Sequence, residues 1–357
     1  SPYSMRSTAE ELTDAGFLSI CLRYPGHGTV PAGILKADWQ DWYEAVKIAW
    51  RGLEERVPAG TPLVLVGYST GGALAVLLTL ELLEKGERAP DQLILFSPAI
   101  GITPLAAFSN VHRLYSWMPF YNKARWLSVE PEYDPFKYNS FPQHAGAQSW
   151  ALTGAVTTAI DRAVSSGVIA RVPPILSFQS LVDSTIVARD LITRLYDRLP
   201  DNGSEIVCFD VNRGHQLDGL LSRSVPDIER LLRDPSLPYR FTLITNVNPG
   251  SRELEEVDHR RGQGELERRP LDAQWPLQVF SLAHVAIPFP PEDPLYGDGR
   301  VPSLTPRLHL GSLSMRGERG ALAVSADDLM RLRHNPFHAT MMARGREASA
   351  AQAAGGK

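Results

Sequence analysis

Gly67-Tyr68-Ser69-Thr70-Gly71 sets a serine between two glycines in a G-x-S-x-G pattern. A serine hydroxyl is a poor nucleophile near neutral pH. It attacks a carbonyl only when a histidine takes its proton and a carboxylate orients that histidine. The chain offers both after Ser69. Asp183 stands in Ser-Leu-Val-Asp-Ser-Thr-Ile, just past an apolar run. It is the expected acid; the alternative, that it merely caps the helix that follows, is the weaker reading with the elbow upstream. Asp190 and Asp197 fall inside that helix and are weaker choices. Two histidines each end a strand-like run and a short loop: His215, 32 residues past Asp183 (215 − 183), and His284, 101 residues past it (284 − 183). His215 is followed by polar Gln-Leu-Asp, which suits a solvent-facing loop. His284 is followed by Val-Ala-Ile-Pro, a drier setting in which an imidazole needs a hydrogen-bond partner. The base is open between the two, with His284 preferred. The backbone N–H of Thr70, directly after the nucleophile, is expected to donate to the oxyanion of a tetrahedral intermediate.

Such a serine must be held at the tip of a strand. Residues 62–67 form a short apolar run that reads as a buried strand, and residues 72–86 read as a mostly buried helix closed by Gly86. Strand, sharp turn and helix make a nucleophile elbow, which exposes the hydroxyl above the positive end of a helix. The tight turn predicts that side chains at Gly67 and Gly71 would collide with their surroundings.

Around the elbow the chain alternates. A helix opening near Ser7 closes at Gly16, a strand covers 17–22, a helix covers 38–57, and a strand covers 91–98. Helix and strand in alternation predict a mostly parallel sheet with helices on both faces. Residues 1–102 are read as the first part of the core. Residues 103–173 break the rhythm with scattered aromatics (Trp117, Trp126, Tyr133, Phe136 and Tyr138 among them) and read as a helical lid inserted over Ser69. Residues 174–345 are the second part of the core: strands at 174–179, 205–211, 239–247 and 277–281, a helix near 188–199, and a charged, exposed excursion at 248–270. Residues 346–357 read as a disordered low-complexity tail.

Composition narrows the function classes. Of 357 residues, 43% are hydrophobic and 21% charged, the balance of a globular chain with a sizeable core. The net charge of −4 and the lack of a long basic run argue against nucleic acid as a partner. No apolar run reaches the roughly 20 residues that span a bilayer. Cys21 and Cys208 sit in separate strand-like runs and imply neither a disulfide framework nor a metal cluster. No two histidines have zinc spacing and no glycine loop suits a phosphate, so neither metal nor nucleotide cofactor is expected. His27, in Pro-Gly-His-Gly, is expected to fix a turn; His112, His144, His259, His309, His334 and His338 lack a strand-end setting. Oligomeric state and compartment, cytoplasmic or membrane-associated, stay open.

With the elbow, acid and base placed, the chain resembles the α/β-hydrolase superfamily, in the branch of monoacylglycerol lipases and small bacterial carboxylesterases. The segment 4–17 is similar to that branch's first helix, Arg23-Tyr-Pro-Gly-His-Gly28 to its Pro-Gly-His-Gly loop, and Ser281-Leu-Ala-His-Val285 to the Ser-Gly-His-Val/Ile loop of the carboxylesterases. The last likeness favours His284 as base. The resemblance implies a Ser69–Asp183–His284 triad, a lid, and a lipid or small-molecule ester with an apolar acyl group as substrate. It also implies one or two strands and a His-Gly oxyanion loop before Ser1, so the second oxyanion donor is expected there. Residues 200–275 depart from the pattern by adding strands between acid and base. Thioester hydrolysis, acyl transfer, or binding without catalysis on the same scaffold remain alternatives.

Overall fold

Apolar side chains alternate along the central strands, and that alternation divides the interior in two. The computed structural model describes residues 2–102, 125–183, 185–215, 228–259, 266–277, 279–302, 309–312 and 331–355. Its strands are β1 (Val64–Tyr68), β2 (Gln92–Phe96), β3 (Trp126–Ser128), β4 (Phe141–Pro142), β5 (Ile175–Ser180), β6 (Glu205–Phe209), β7 (Arg240–Asn246), β8 (Glu253–His259) and β9 (Glu267–Gln274). Its helices are α1 (Arg6–Asp14), α2 (Trp39–Glu54), α3 (Thr70–Lys85), α4 (Gln143–Ser166), α5 (Ala188–Arg194), α6 (Ile228–Arg233) and α7 (His338–Gly355).

Seven strands form one sheet in the order β1-β2-β5-β6-β7-β8-β9. The first five run parallel, and β8 and β9 close it as an antiparallel hairpin. Leu93, Leu95, Ile206 and Cys208 face a core built with Trp42 and Val46 of α2, Leu74 and Leu78 of α3, and Val156 and Ile160 of α4. Ile94, Phe96, Val207 and Phe209 face the opposite core, shared with Trp275, Phe337, Met341 and Met342. A mostly parallel sheet between two helical layers is the expected architecture.

Several elements differ from the sequence reading. Residues 17–22 enter no ladder. Leu18 and Ile20 are 61% and 49% exposed, and the segment shares an apolar cavity of about 500 Å³ with the outer edge of β1. An extended run becomes a strand only by pairing, and among the described residues β1 pairs with β2 alone. The charged stretch expected as an excursion holds β8 and the first half of β9, while the described residues of 277–281 form no strand. The reason is charge pairing. Glu255, Glu256 and Asp258 are buried because Arg268, Arg344 and Arg240 reach their carboxylates. Sequence reading sends charges to solvent; here arginines bring them inside. Likewise α7 runs to Gly355 through residues expected as a disordered tail. Of the expected lid, residues 103–124, with Trp117, lie outside the described residues; α4 packs against α3 in the first core.

Candidate active site

Pairing with β2 ends where β1 meets α3, and the turn between them is crowded. A Cβ on Gly67 would lie 2.6 Å from the Cα of Gly72, and one on Gly72 would lie 2.6 Å from the Cβ of Pro98. At Gly71 the nearest atom, the Tyr24 hydroxyl, would be 3.2 Å away. The collisions therefore fall at Gly67 and Gly72, not at Gly67 and Gly71, because helix α3 turns its Gly72 face toward the chain leaving β2. Ser69 is pinned at φ 52° and ψ −117°, a left-handed conformation costly for a residue with a Cβ. Four backbone hydrogen bonds hold it there: Ser69 N–H to Phe96 O (2.9 Å), and Gly72 N–H (3.0 Å), Ala73 N–H (3.3 Å) and Ala99 N–H (3.0 Å) to Ser69 O. The Ser69 side chain makes no capping bond to α3, so its hydroxyl is not spent on the helix it precedes. Ser97, at the end of the adjacent β2, also has positive φ (39°). Thr70 opens α3, in the first turn, where a helix supplies no acceptor for its own amides.

Asp183 follows β5. Its Oδ1 accepts the N–H groups of Thr185 (2.8 Å) and Ile186 (3.0 Å), and its Oδ2 accepts Gln179 Nε2 (3.3 Å). The carboxylate is thus fixed by its own loop, and α5 starts only at Ala188. His284 Nδ1 lies 3.7 Å from Asp183 Oδ1, with the His284 side chain 11% and the Asp183 side chain 1% exposed. The imidazole stacks on Tyr68, the residue before Ser69, with centroids 6.1 Å apart and planes at 30°. Burial pushes the His284 pKa down to about 4; Asp183 pulls it up, and Arg331 and Lys137 push it further down. A base held neutral in this way is free to accept a proton.

The other sequence candidates fall elsewhere. His215 closes a 3-10 turn, Arg213–His215, after β6. Asp190 pairs with Arg194 at 3.4 Å, and Asp197 accepts the Tyr239 hydroxyl at 2.8 Å, so both are engaged in packing. His27 Nδ1 is 3.2 Å from Pro25 O and its ring meets Tyr24 and Trp42 edge-on, as a turn-fixing residue would. Among the described residues no acidic, histidine or cysteine cluster suits a metal ion.

Three residues near the imidazole escaped the sequence reading. Tyr68 is inside the motif but was read only as its variable position. Arg331 Nη2 is 3.3 Å from His284 Nδ1. Lys137 sets its ammonium 4.5 Å from the Phe289 ring centroid and 4.6 Å from that of Tyr296. Neither cation lies in a motif, and sequence separations of 47 and 147 residues from His284 (331 − 284, 284 − 137) gave no signal.

A protein-family profile described as serine aminopeptidase, S33, matches residues 4–217. Among solved structures, the chain is similar to a lipolytic enzyme from the metagenome-derived LipS and LipT study, with 23% identity over 59% of this chain and 78% of that one at a TM-score of 0.45. It is similar to a monoacylglycerol lipase of Paleococcus ferrophilus at 18% identity, over 58% and 78% of the chains, TM-score 0.41. It is also similar to a soluble variant of the Saccharomyces cerevisiae monoglyceride lipase, crystallised with a substrate analog, at 13% identity over 58% and 73%, TM-score 0.38. No curated protein matches the chain.

Proposed function

Because the chain belongs to the serine aminopeptidase S33 family of α/β hydrolases, we propose that it cleaves carboxylic esters with apolar acyl groups, glycerides or lysolipids being the expected class, through a Ser69–Asp183–His284 triad. The observation that carries this reading is the approach of the His284 ring to both the Asp183 carboxylate and the elbow residue Tyr68. Ser69 Oγ attacks the ester carbonyl while His284 takes its proton, and Asp183 steadies the imidazolium. The Thr70 N–H and the positive end of α3 stabilise the oxyanion. Collapse expels the alcohol, which receives the proton from His284. Water then cleaves the acyl-enzyme by the reverse use of the same groups.

His215 is a second reading for the base, favoured by one observation: the family profile takes in His215 and ends 67 residues before His284 (284 − 217). A fluorophosphonate probe tests the nucleophile: labelling is expected at Ser69 and absent from Ser69→Ala. Turnover of p-nitrophenyl esters tests the base. His284→Ala is expected to lower kcat by about 10³-fold or more and His215→Ala by less than tenfold. The opposite order transfers the role to His215, and unlabelled protein points to binding without catalysis. Thioesters and aminoacyl p-nitroanilides, run beside the esters, separate ester cleavage from thioester and peptide chemistry.

A further inference from the structure

Gln179 is a fully buried polar side chain near the end of β5. The register sets Phe96 of β2 beside Phe178, so Gln179 lies one residue further along, two strands across from Ser69. Its Nε2 donates to three oxygens: Ser180 O at 3.1 Å, Asp183 Oδ2 at 3.3 Å and Ile186 O at 3.5 Å. Its Oε1, also buried, meets no donor among the described residues. An amide turned end for end would set its oxygen against a carboxylate and two carbonyls, so the nitrogen must face Asp183. The same three oxygens belong to the frame of the acid. Asp183 N–H bonds Ser180 O (3.3 Å), and Ile186 N–H bonds Asp183 Oδ1 (3.0 Å). One nitrogen thus ties the strand end, the loop and the carboxylate together. A leucine would fill this space without burying an oxygen that lacks a donor. What only the amide supplies is a hydrogen bond to Oδ2.

We propose that Gln179 is a positioning residue for the acid of the triad: its Nε2–H fixes the plane of the Asp183 carboxylate, so that Oδ1 is the oxygen offered to His284. The inference rests on the ester-hydrolase reading above and adds a residue to that same site. Asp183 Oδ1 holds two backbone N–H groups and lies 3.7 Å from His284 Nδ1. A carboxylate bonded at one oxygen alone can rock about its Cβ–Cγ bond, and a donor at Oδ2 stops it. The donor is also neutral. A lysine or arginine in its place would compete for the negative charge that steadies the imidazolium during turnover. An amide satisfies Oδ2 and leaves that charge to His284.

The test is hydrolysis of p-nitrophenyl butyrate, with kcat counted per fluorophosphonate-titrated serine so that misfolded molecules do not enter the rate. Gln179→Leu keeps the volume and removes the donor. It is expected to lower kcat by roughly tenfold or more and to move KM by less than about threefold, because the imidazolium forms only on the way to the transition state. Gln179→Glu supplies the rescue. Two buried carboxyls in contact keep one proton between them above the usual carboxylate range, and in that form the introduced O–H donates to Oδ2. His284, with a pKa of about 4, stays neutral from pH 5.5 to 8.5 and does not mask the effect. Gln179→Glu is expected to stay within about threefold of the unaltered kcat at pH 5.5 and to fall roughly tenfold relative to it by pH 8.5, as the shared proton leaves. Gln179→Leu is expected to be depressed equally at both. A Gln179→Leu protein within about threefold of the unaltered kcat, or a Gln179→Glu protein no better than Gln179→Leu at pH 5.5, overturns the proposal. If Gln179→Leu does not fold, the Gln179→Glu ratio decides alone: a fall with pH supports the role and a flat ratio removes it. Turnover by the unaltered protein, lost in Ser69→Ala, reads the hydrolase assignment separately. An unaltered protein without turnover removes that assignment and this inference together.

Discussion

At Gly72, one hydrogen atom is all the space that Pro98 leaves, and at Gly67 the backbone of α3 itself is the obstacle. Flexible side-chain ends can yield to an added methyl; backbone and a proline ring cannot. Gly67→Ala and Gly72→Ala are therefore expected to destabilise the fold by about 1–3 kcal/mol, whereas Gly71→Ala, which meets only the end of Tyr24, should cost less than about 1 kcal/mol. Urea unfolding of the three variants checks the order, and a Gly71 variant as unstable as the others refutes it. The serine and its turn were legible in the sequence because a local motif encodes a local geometry. Asp183 was legible from its place after a strand. Arg331 was not, because its approach to the imidazole comes from long-range packing.

Among the elements, the β8–β9 hairpin and α7 depend on arginines. Arg344 of α7 reaches Glu205 of β6 and Glu256 of β8, and Arg240 of β7 reaches Asp258. Glu256 and Asp258 are almost inaccessible, and Arg269 and Arg240 each reach both of them, so losing Arg344 weakens a shared buried network without stripping either acid of every partner. Arg344→Met keeps the apolar stem and removes the charge. It is expected to cost about 1–3 kcal/mol and to lower the melting temperature; an unchanged midpoint would show that α7 is held by Met341 and Met342 alone. The parallel strands β1, β2, β5 and β6 were readable as apolar runs closed by turn residues. The hairpin was not, since its strands are written in Glu, Asp and Arg, the residues that ordinarily mark an exposed loop. The same blindness hid α7, whose alanine-rich end carries no apolar stripe.

For the molecule as a whole, burial suppresses protonation at two histidines. His284 and His338 both have folded pKa values of about 4, burial being the main cause in each, against the usual 6.5. Above pH 6.5 they are neutral in both states and cost nothing. Between pH 6.5 and 4 the unfolded chain takes up protons that the folded chain refuses, so stability falls as the pH drops through that window. Melting curves at pH 7.5, 6 and 5 are expected to show this decline, and His338→Asn to flatten it; equal slopes in the two proteins would remove His338 from the account. One last consequence belongs to the sheet's border. Among the described residues, the strand that leads into Ser69 lies at one end of the row, with β2 as its single described neighbour and half-buried side chains where those of β2 and β5 are buried throughout. Fraying should begin there, so amide exchange at residues 64–66 should outpace that at 93–95, and any motion that unzips the border would swing the nucleophile away from its imidazole before the rest of the protein loosens.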